Sequence, residues 1–144
     1  MTRILVECPQ QIASVRVGVL EPLKPLEETE LCQVRYRDTK DITKEDICWC
    51  DVLICVRGCE YPTLRIVQAA KASGRFLIYF LDDDLLNIPS GNASTNYYRD
   101  NKIKVNLTRI VGLCDVLWAV NQQILFQYGK FIPRSILLRV PAKI

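Results

Sequence analysis

Six short apolar runs separated by stretches of helical periodicity constrain this chain more than any other feature of its sequence. They are Thr2 to Cys8 (TRILVEC), Leu31 to Tyr36 (LCQVRY), Val52 to Val56 (VLICV), Phe76 to Leu81 (FLIYFL), Asp115 to Val120 (DVLWAV) and Ser135 to Val140 (SILLRV). Several are apolar on both faces, as parallel strands must be when crossover helices shield a sheet from both sides.

The intervening segments supply the crossovers. Val15, Val19, Leu20 and Leu23 suggest a short helix soon ended by Pro22 and Pro25, since proline removes a helical N–H and clashes with the preceding turn. Thr43-Lys-Glu-Asp46 has the form of a capping box opening a short helix that runs to Trp49. From Pro62 to Ser73, Leu64, Val67, Gln68 and Lys71 separate an apolar side from a polar one, with Gly74 as the stop. Ile103, Leu107, Ile110 and Val111 form one face of a helix expected from Tyr97 to Leu113. Asn121 is placed to cap a last helix, whose Ile124, Leu125 and Tyr128 face the sheet before Gly129 ends it. Strand alternates with helix throughout, so the expected fold class is α/β. It is a single doubly wound, Rossmann-like domain with a mostly parallel sheet of about six strands, in the order 2-1-3-4-5-6 or 3-2-1-4-5-6.

At 144 residues and 49% hydrophobic, the chain has room for one core, which excludes a two-domain enzyme within it. Its apolar runs stop at about six residues, against the ~18 needed to cross a bilayer. The N-terminus enters a strand pattern at once, without the regions of a signal peptide, so a cytoplasmic location is expected. The 19 Lys and Arg are scattered against 16 Asp and Glu rather than gathered in a stripe, so nucleic acid is not an expected partner. There is no histidine, which removes His bases, His triads and His metal sites. Seven cysteines form an odd set, mostly inside apolar runs, and suit a reducing compartment. The spacing Cys48-x-Cys50-x4-Cys55-x3-Cys59 could be read as a zinc site, but Cys55 falls mid-strand and paired CxxC knuckles are missing. No metal is expected.

In open α/β sheets ligands bind beyond the carboxyl ends of the strands. That rule places Cys8 to Arg16, Arg57 to Pro62 and Asp82 to Asp84 on one rim, where Arg16, Arg57 and the carboxylates are expected to converge. The plainer reading is that Arg57 pairs with an Asp and Asp84 caps the following turn. Crowded carboxylates resist ionisation unless a cation is near. Asp82 and Asp84 also make a D-x-D pair of the kind that clamps a divalent ion beside a diphosphate, although the tripeptide alone does not establish one. Neither GxGxxG nor GxxxxGK[ST] follows the first strand, which argues against an ordinary dinucleotide or Walker site.

The stretch from Asp82 to Asn96 is a loop of about fifteen residues, a length that is uncommon in compact domains and often functional. Its Asn87 to Asn96 segment has little apolar surface to bury and is expected to order against an acceptor or partner domain. Of the aromatic pair that follows, Tyr97 is expected to stack on a sugar face and Tyr98 to turn inward. The sequons at Asn92 and Asn106 are read as chance. Arg99, Lys102 and Lys104 read as a solvated helix face, or else as a contact with an anionic lipid or acceptor surface.

The succession Val56-Arg-Gly58, Pro62 to Gly74, Phe76-Leu-Ile-Tyr-Phe-Leu-Asp-Asp-Asp-Leu-Leu-Asn-Ile-Pro89 and Cys114-Asp-Val-Leu-Trp-Ala-Val120 resembles the N-terminal domain of bacterial GT-B-fold glycosyltransferases that build surface polysaccharide. Leu81 to Leu85 is similar to the acidic DDDL element of that family, and Ser14-Val-Arg16 to its S-x-R element. The resemblance implies transfer of a sugar from a nucleotide-sugar donor to a glycan or lipid-linked acceptor. Asp82, Asp83 and Arg57 would be catalytic, and Ser14, Arg16, Asp84, Asn92 and Tyr97 would contact substrate. The chain departs from the pattern at Val140-Pro-Ala-Lys-Ile144, where relatives reach an Asn-Gly turn. The donor is expected on a C-terminal domain absent from this chain, which alone would be inactive and hold no tightly bound cofactor. A peripheral position at the inner face of the membrane and a homodimer are both compatible with this reading. The alternative is a non-enzymatic Rossmann-like ligand-binding or scaffold domain, since a fold fixes no function. A receiver module is disfavoured, because its acidic positions hold Glu7-Cys8 and Arg57 here.

Overall fold

In the computed structural model, residues 1–83, 85, 97–98 and 100–138 are described. The chain alternates strand and helix. Strand β1 (Thr2–Cys8) leads into α1 (Ala13–Val15), a π-helical turn (Arg16–Leu20) and α2 (Glu21–Glu28). Then come β2 (Cys32–Asp38), a 3-10 turn (Thr39–Asp41), α3 (Lys44–Trp49), β3 (Val52–Val56), α4 (Tyr61–Ala72) and β4 (Phe76–Leu81). Helix α5 (Asn101–Leu113), β5 (Val116–Ala119), α6 (Gln122–Tyr128), a 3-10 turn (Gly129–Phe131) and β6 (Arg134–Leu137) complete it. The six strands form one sheet in the order β2-β1-β3-β4-β5-β6, and all five pairings are parallel. The fold is α/β and Rossmann-like, with the first of the two expected strand orders. Among the described residues, no helix is long and apolar enough to cross a membrane.

Local signals explain several boundaries. The Thr43 hydroxyl accepts from the Asp46 amide at 3.3 Å while Asp46 Oδ2 accepts from the Thr43 amide at 3.0 Å, a reciprocal box that starts α3. Asn121 Oδ1 accepts from the Ile124 amide at 2.9 Å and starts α6. Gly74, at φ 75°, closes α4, with Gly74 N–H donating to Lys71 O and Arg75 N–H to Ala70 O.

Pro22 and Pro25 do not end the first helical segment. A π turn widens the backbone at Arg16–Leu20, Pro22 falls in the first turn of the helix that resumes, and Pro25 is carried inside it. The backbone stays right-handed helical through Leu20 and Glu21, with the Glu21 N–H donating to Arg16 O, so the prolines follow directly on the wider i→i−5 turn rather than on a free helix start. Helix α5 starts at Asn101 rather than Tyr97, because Asp100 takes the cap and accepts from the Lys102 amide at 2.8 Å. Strands β2 and β6 lie slightly out of step with their apolar runs, at Cys32–Asp38 and Arg134–Leu137. Asp115 lies just outside β5, as Asp51 lies just outside β3. Each is latched to the neighbouring strand, Asp51 Oδ2 accepting from the Arg3 amide and Asp115 Oδ2 from the Leu77 amide, both at 2.8 Å.

The sheet divides the apolar residues into two cores. On one face Leu5, Leu53, Leu77, Tyr79, Leu81 and Leu117 pack beneath α3, α4, α5 and α6. On the other Ile4, Val6, Ile54, Val56, Phe80 and Trp118 meet the α1–α2 segment through Val15, Val19 and Leu23. Gly18 lies so close to the Phe80 ring that a Cβ there would sit 2.6 Å from Cζ, so glycine is what lets the π turn rest on the sheet. With β1 flanked by β2 and β3, the chain's progression across the sheet reverses at β1, and the loops leaving β1 and β3 diverge there.

Candidate functional site

At that reversal the carboxyl edge of the sheet opens into a cleft of about 250 Å³, lined by Cys8, Gln10, Arg57, Glu60, Tyr97 and Tyr98 among others. Cys8 ends β1 and Gln10 follows it, Arg57 and Glu60 belong to the β3–α4 turn, and the tyrosines precede α5.

Arg57 is the central charge. Its amide extends the β3–β4 ladder, donating to Phe80 O at 3.3 Å, and its backbone is left-handed at φ 59°. A non-glycine residue in that region stores strain and is held by its surroundings. Among the described residues the guanidinium's Nη1 donates to Ser14 Oγ at 3.4 Å, its Nε lies 3.6 Å from Asp82 Oδ1 and its Nη2 3.5 Å from Asp83 Oδ2, with the Tyr98 hydroxyl also beside it. Loops after β1, β3 and β4 thus meet at one cation. Asp82 is partly buried and Asp83 exposed.

The aromatic wall is built by Tyr97 and Tyr98, whose rings meet edge to face at 4.8 Å. Tyr97 is exposed and its hydroxyl lies 3.7 Å from Cys59 Sγ, whereas Tyr98 is half-buried against the larger core. Although the ring is exposed, partial desolvation of the Tyr97 hydroxyl, with the Cys59 and Glu60 side chains beside it, pushes it well above its ordinary pKa. Burial also pushes the Cys8 thiol up to about 12, so it is no nucleophile near neutral pH.

Of the residues expected from the sequence, Ser14, Arg57, Asp82 and Asp83 come together and Tyr97 lines the adjoining cleft. Arg16 does not join them. It stands exposed on the π turn and, among the described residues, makes no ion pair. Being two residues beyond Ser14 along a helical turn, it cannot share that residue's direction. Asp84, Asn92 and the expected Asn87 to Asn96 loop lie outside the described residues.

Two carboxylates were not singled out from the sequence. Glu60 lines the cleft from the N-cap of α4, yet its side chain caps nothing. Glu7, the last residue before Cys8, is wholly buried, and its Oε1 accepts from the hydroxyls of Thr39 and, at 3.0 Å, Thr63. A signal was present in each case: a lone glutamate inside the run TRILVEC, and a glutamate where Ser, Thr, Asp or Asn would usually start a helix. Among the described residues, no group of three His, Cys, Asp or Glu side chains is arranged to hold a metal ion.

No protein-family model matches the chain. The comparison with curated proteins likewise gives no match. Among solved structures, a conserved protein from Enterococcus faecalis V583 is similar at 11% identity and a TM-score of 0.46, over 95% of this chain and 91% of that one.

Proposed function

We propose that this chain is the acceptor-side, N-terminal domain of a two-domain glycosyltransferase, with the cleft at the β1–β3 reversal as the wall that receives the acceptor. The observation that carries the reading is one juxtaposition. Arg57, braced by Asp82 and Asp83, stands at the edge of an open cleft whose other wall is the Tyr97–Tyr98 pair. A sugar offers apolar C–H faces to an aromatic ring and a fan of hydroxyls to charged hydrogen-bonding groups, and a cleft with few, placed polar groups suits both. Asp82 and Asp83, held beside Arg57, and Glu60 on the cleft wall are the carboxylates that would accept from an acceptor hydroxyl, with Arg57 orienting the two aspartates. Ser14 holds the far side of the guanidinium. The nucleotide-sugar donor belongs, on this reading, to a second domain that closes over the cleft, because charge stabilisation of a leaving diphosphate needs a water-poor enclosure.

The test uses the full-length parent protein and a panel of nucleotide sugars with glycan and lipid-linked acceptors. Asp82→Asn and Arg57→Ala should each abolish transfer, while residues 1–144 alone should turn over nothing. Turnover by residues 1–144 alone would sink the two-domain reading. Glycan binding to the cleft with no transfer by the parent protein would favour a non-enzymatic ligand-binding domain.

A further inference from the structure

Beneath the cleft lies a buried polar group that the proposed chemistry does not use. Glu7 is wholly buried near the end of β1 with the Cys55 thiol beside its carboxyl, and among the described residues its Oε2 has no close hydrogen-bond partner. Its Oε1 is held by two hydroxyls from different elements, Thr39 after β2 and Thr63 in the first turn of α4. Thr63 is itself buried and packs directly on Gly58, where a Cβ would sit 2.5 Å from Thr63 Oγ1. The Gly58 carbonyl is fixed from the other side by the buried Tyr79 hydroxyl at 2.8 Å. Gly58 is the neighbour of Arg57, the one residue of this turn forced into a left-handed backbone.

We propose that Glu7 is a positioning residue for the cleft: through Thr63 and Gly58 it holds the β3–α4 turn in the conformation that aims Arg57 at Asp82 and Asp83. A buried carboxyl is costly, and here it ties together β1, the turn after β2 and the start of α4. Burial favours its neutral form, which is the form least penalised by an unpartnered oxygen. The strain at Arg57 then has a specific counterweight rather than a general one. This inference rests on the cleft being the substrate site, but its test reads Arg57 with no substrate present, so the two can fail separately.

The measurement is hydrogen exchange at the Arg57 backbone amide, which donates to Phe80 O in the turn, by NMR on the whole chain, with β5 backbone amides as the reporter of the global fold. Thr63→Val keeps the shape and removes the hydroxyl, so exchange at Arg57 should accelerate about tenfold with β5 unchanged, as expected when a buried acceptor loses its donor. Thr63→Ser should restore it. Glu7→Gln, which keeps an acceptor oxygen and a neutral head, should behave as wild type, whereas Glu7→Leu should resemble Thr63→Val. Unchanged Arg57 exchange in Thr63→Val would overturn the proposal, as would an equal acceleration at β5. If Glu7→Leu fails to fold, the Thr63→Val and Thr63→Ser pair decides alone.

Discussion

Arg57 Nε and Asp82 Oδ1 face each other across the β3–β4 seam at 3.6 Å, and neither atom has a hydrogen bond among the described residues. The distance is an ion pair's but lies beyond a well-made hydrogen bond. Each side chain retains about a fifth of its exposure, so solvent screens the pair and its worth to stability is at most ~1 kcal/mol. Its value is therefore directional: it holds a guanidinium at the mouth of the cleft.

Arg57 can be separated from its backbone strain. Arg57→Ala keeps the left-handed φ of 59° and loses the pairing, whereas Arg57→Gly loses the pairing and relieves the strain. The glycine variant should be the more stable of the two by ~1 kcal/mol in urea denaturation. Both should lose ligand binding at the cleft to the same degree. A glycine variant weaker than the alanine one would mean that the backbone at Arg57 is not strained.

Gly18 tests the contact between the π turn and the sheet. Gly18→Ala would drive a methyl group against the buried Phe80 ring, because a Cβ at this position falls 2.6 Å from Cζ. The expected loss is ~1–3 kcal/mol by thermal or chemical denaturation, the range for overpacking a filled core. Combining it with Phe80→Leu should recover part of that loss. A neutral Gly18→Ala would imply that the π turn can lift off the sheet.

Stability should change with pH in two opposite ways. Asp46 is buried, which by itself would raise its pKa, but hydrogen bonds from Thr43 and Arg35 prevail and hold it below the ordinary 3.8. Its contribution is therefore present above pH 3.8 and lost as pH falls through the lower folded value. Burial raises Glu7 above the ordinary 4.5, opposed only in part by Thr39, Thr63 and Cys55. Its contribution is present below pH 4.5 and is lost as pH rises through the higher folded value. Cys8, Tyr36, Cys55, Tyr79 and Cys114, which titrate in the field of Glu7, are themselves pushed up by burial and stay neutral across this window. Denaturation between pH 3 and 8 should give Glu7→Gln a flatter profile than wild type on the alkaline side. Parallel profiles would mean that Glu7 titrates alike in folded and unfolded chains.

The thiols should report the fold. Cys48 is exposed and the other six cysteines are buried, so a thiol reagent near neutral pH should label one site quickly and all seven only after denaturation. Fast labelling of Cys8 would show that the cleft opens further than its structure describes.

The apolar runs and their spacing determined the architecture because their information is local. Val52 to Val56 and Phe76 to Leu81 are apolar on both faces whatever lies beside them, and Thr43, Gly74 and Asn121 mark helix ends through bonds to residues a few positions away. Strand order was not local in this sense. Pairing β1 with both β2 and β3 depends on contacts between residues far apart in the chain, and two orders fitted the same pattern. Only that pairing brings Ser14, Arg57, Asp82 and Asp83 to one point and leaves Arg16 facing solvent. It also decides the meaning of Glu7: in the sequence it is a charged residue in an apolar run, but in the fold it is the buried acceptor beneath the turn that carries Arg57. The reason is physical. Periodicity tells which face a residue occupies, but burial, hydrogen-bond partners and backbone strain depend on what packs against that face.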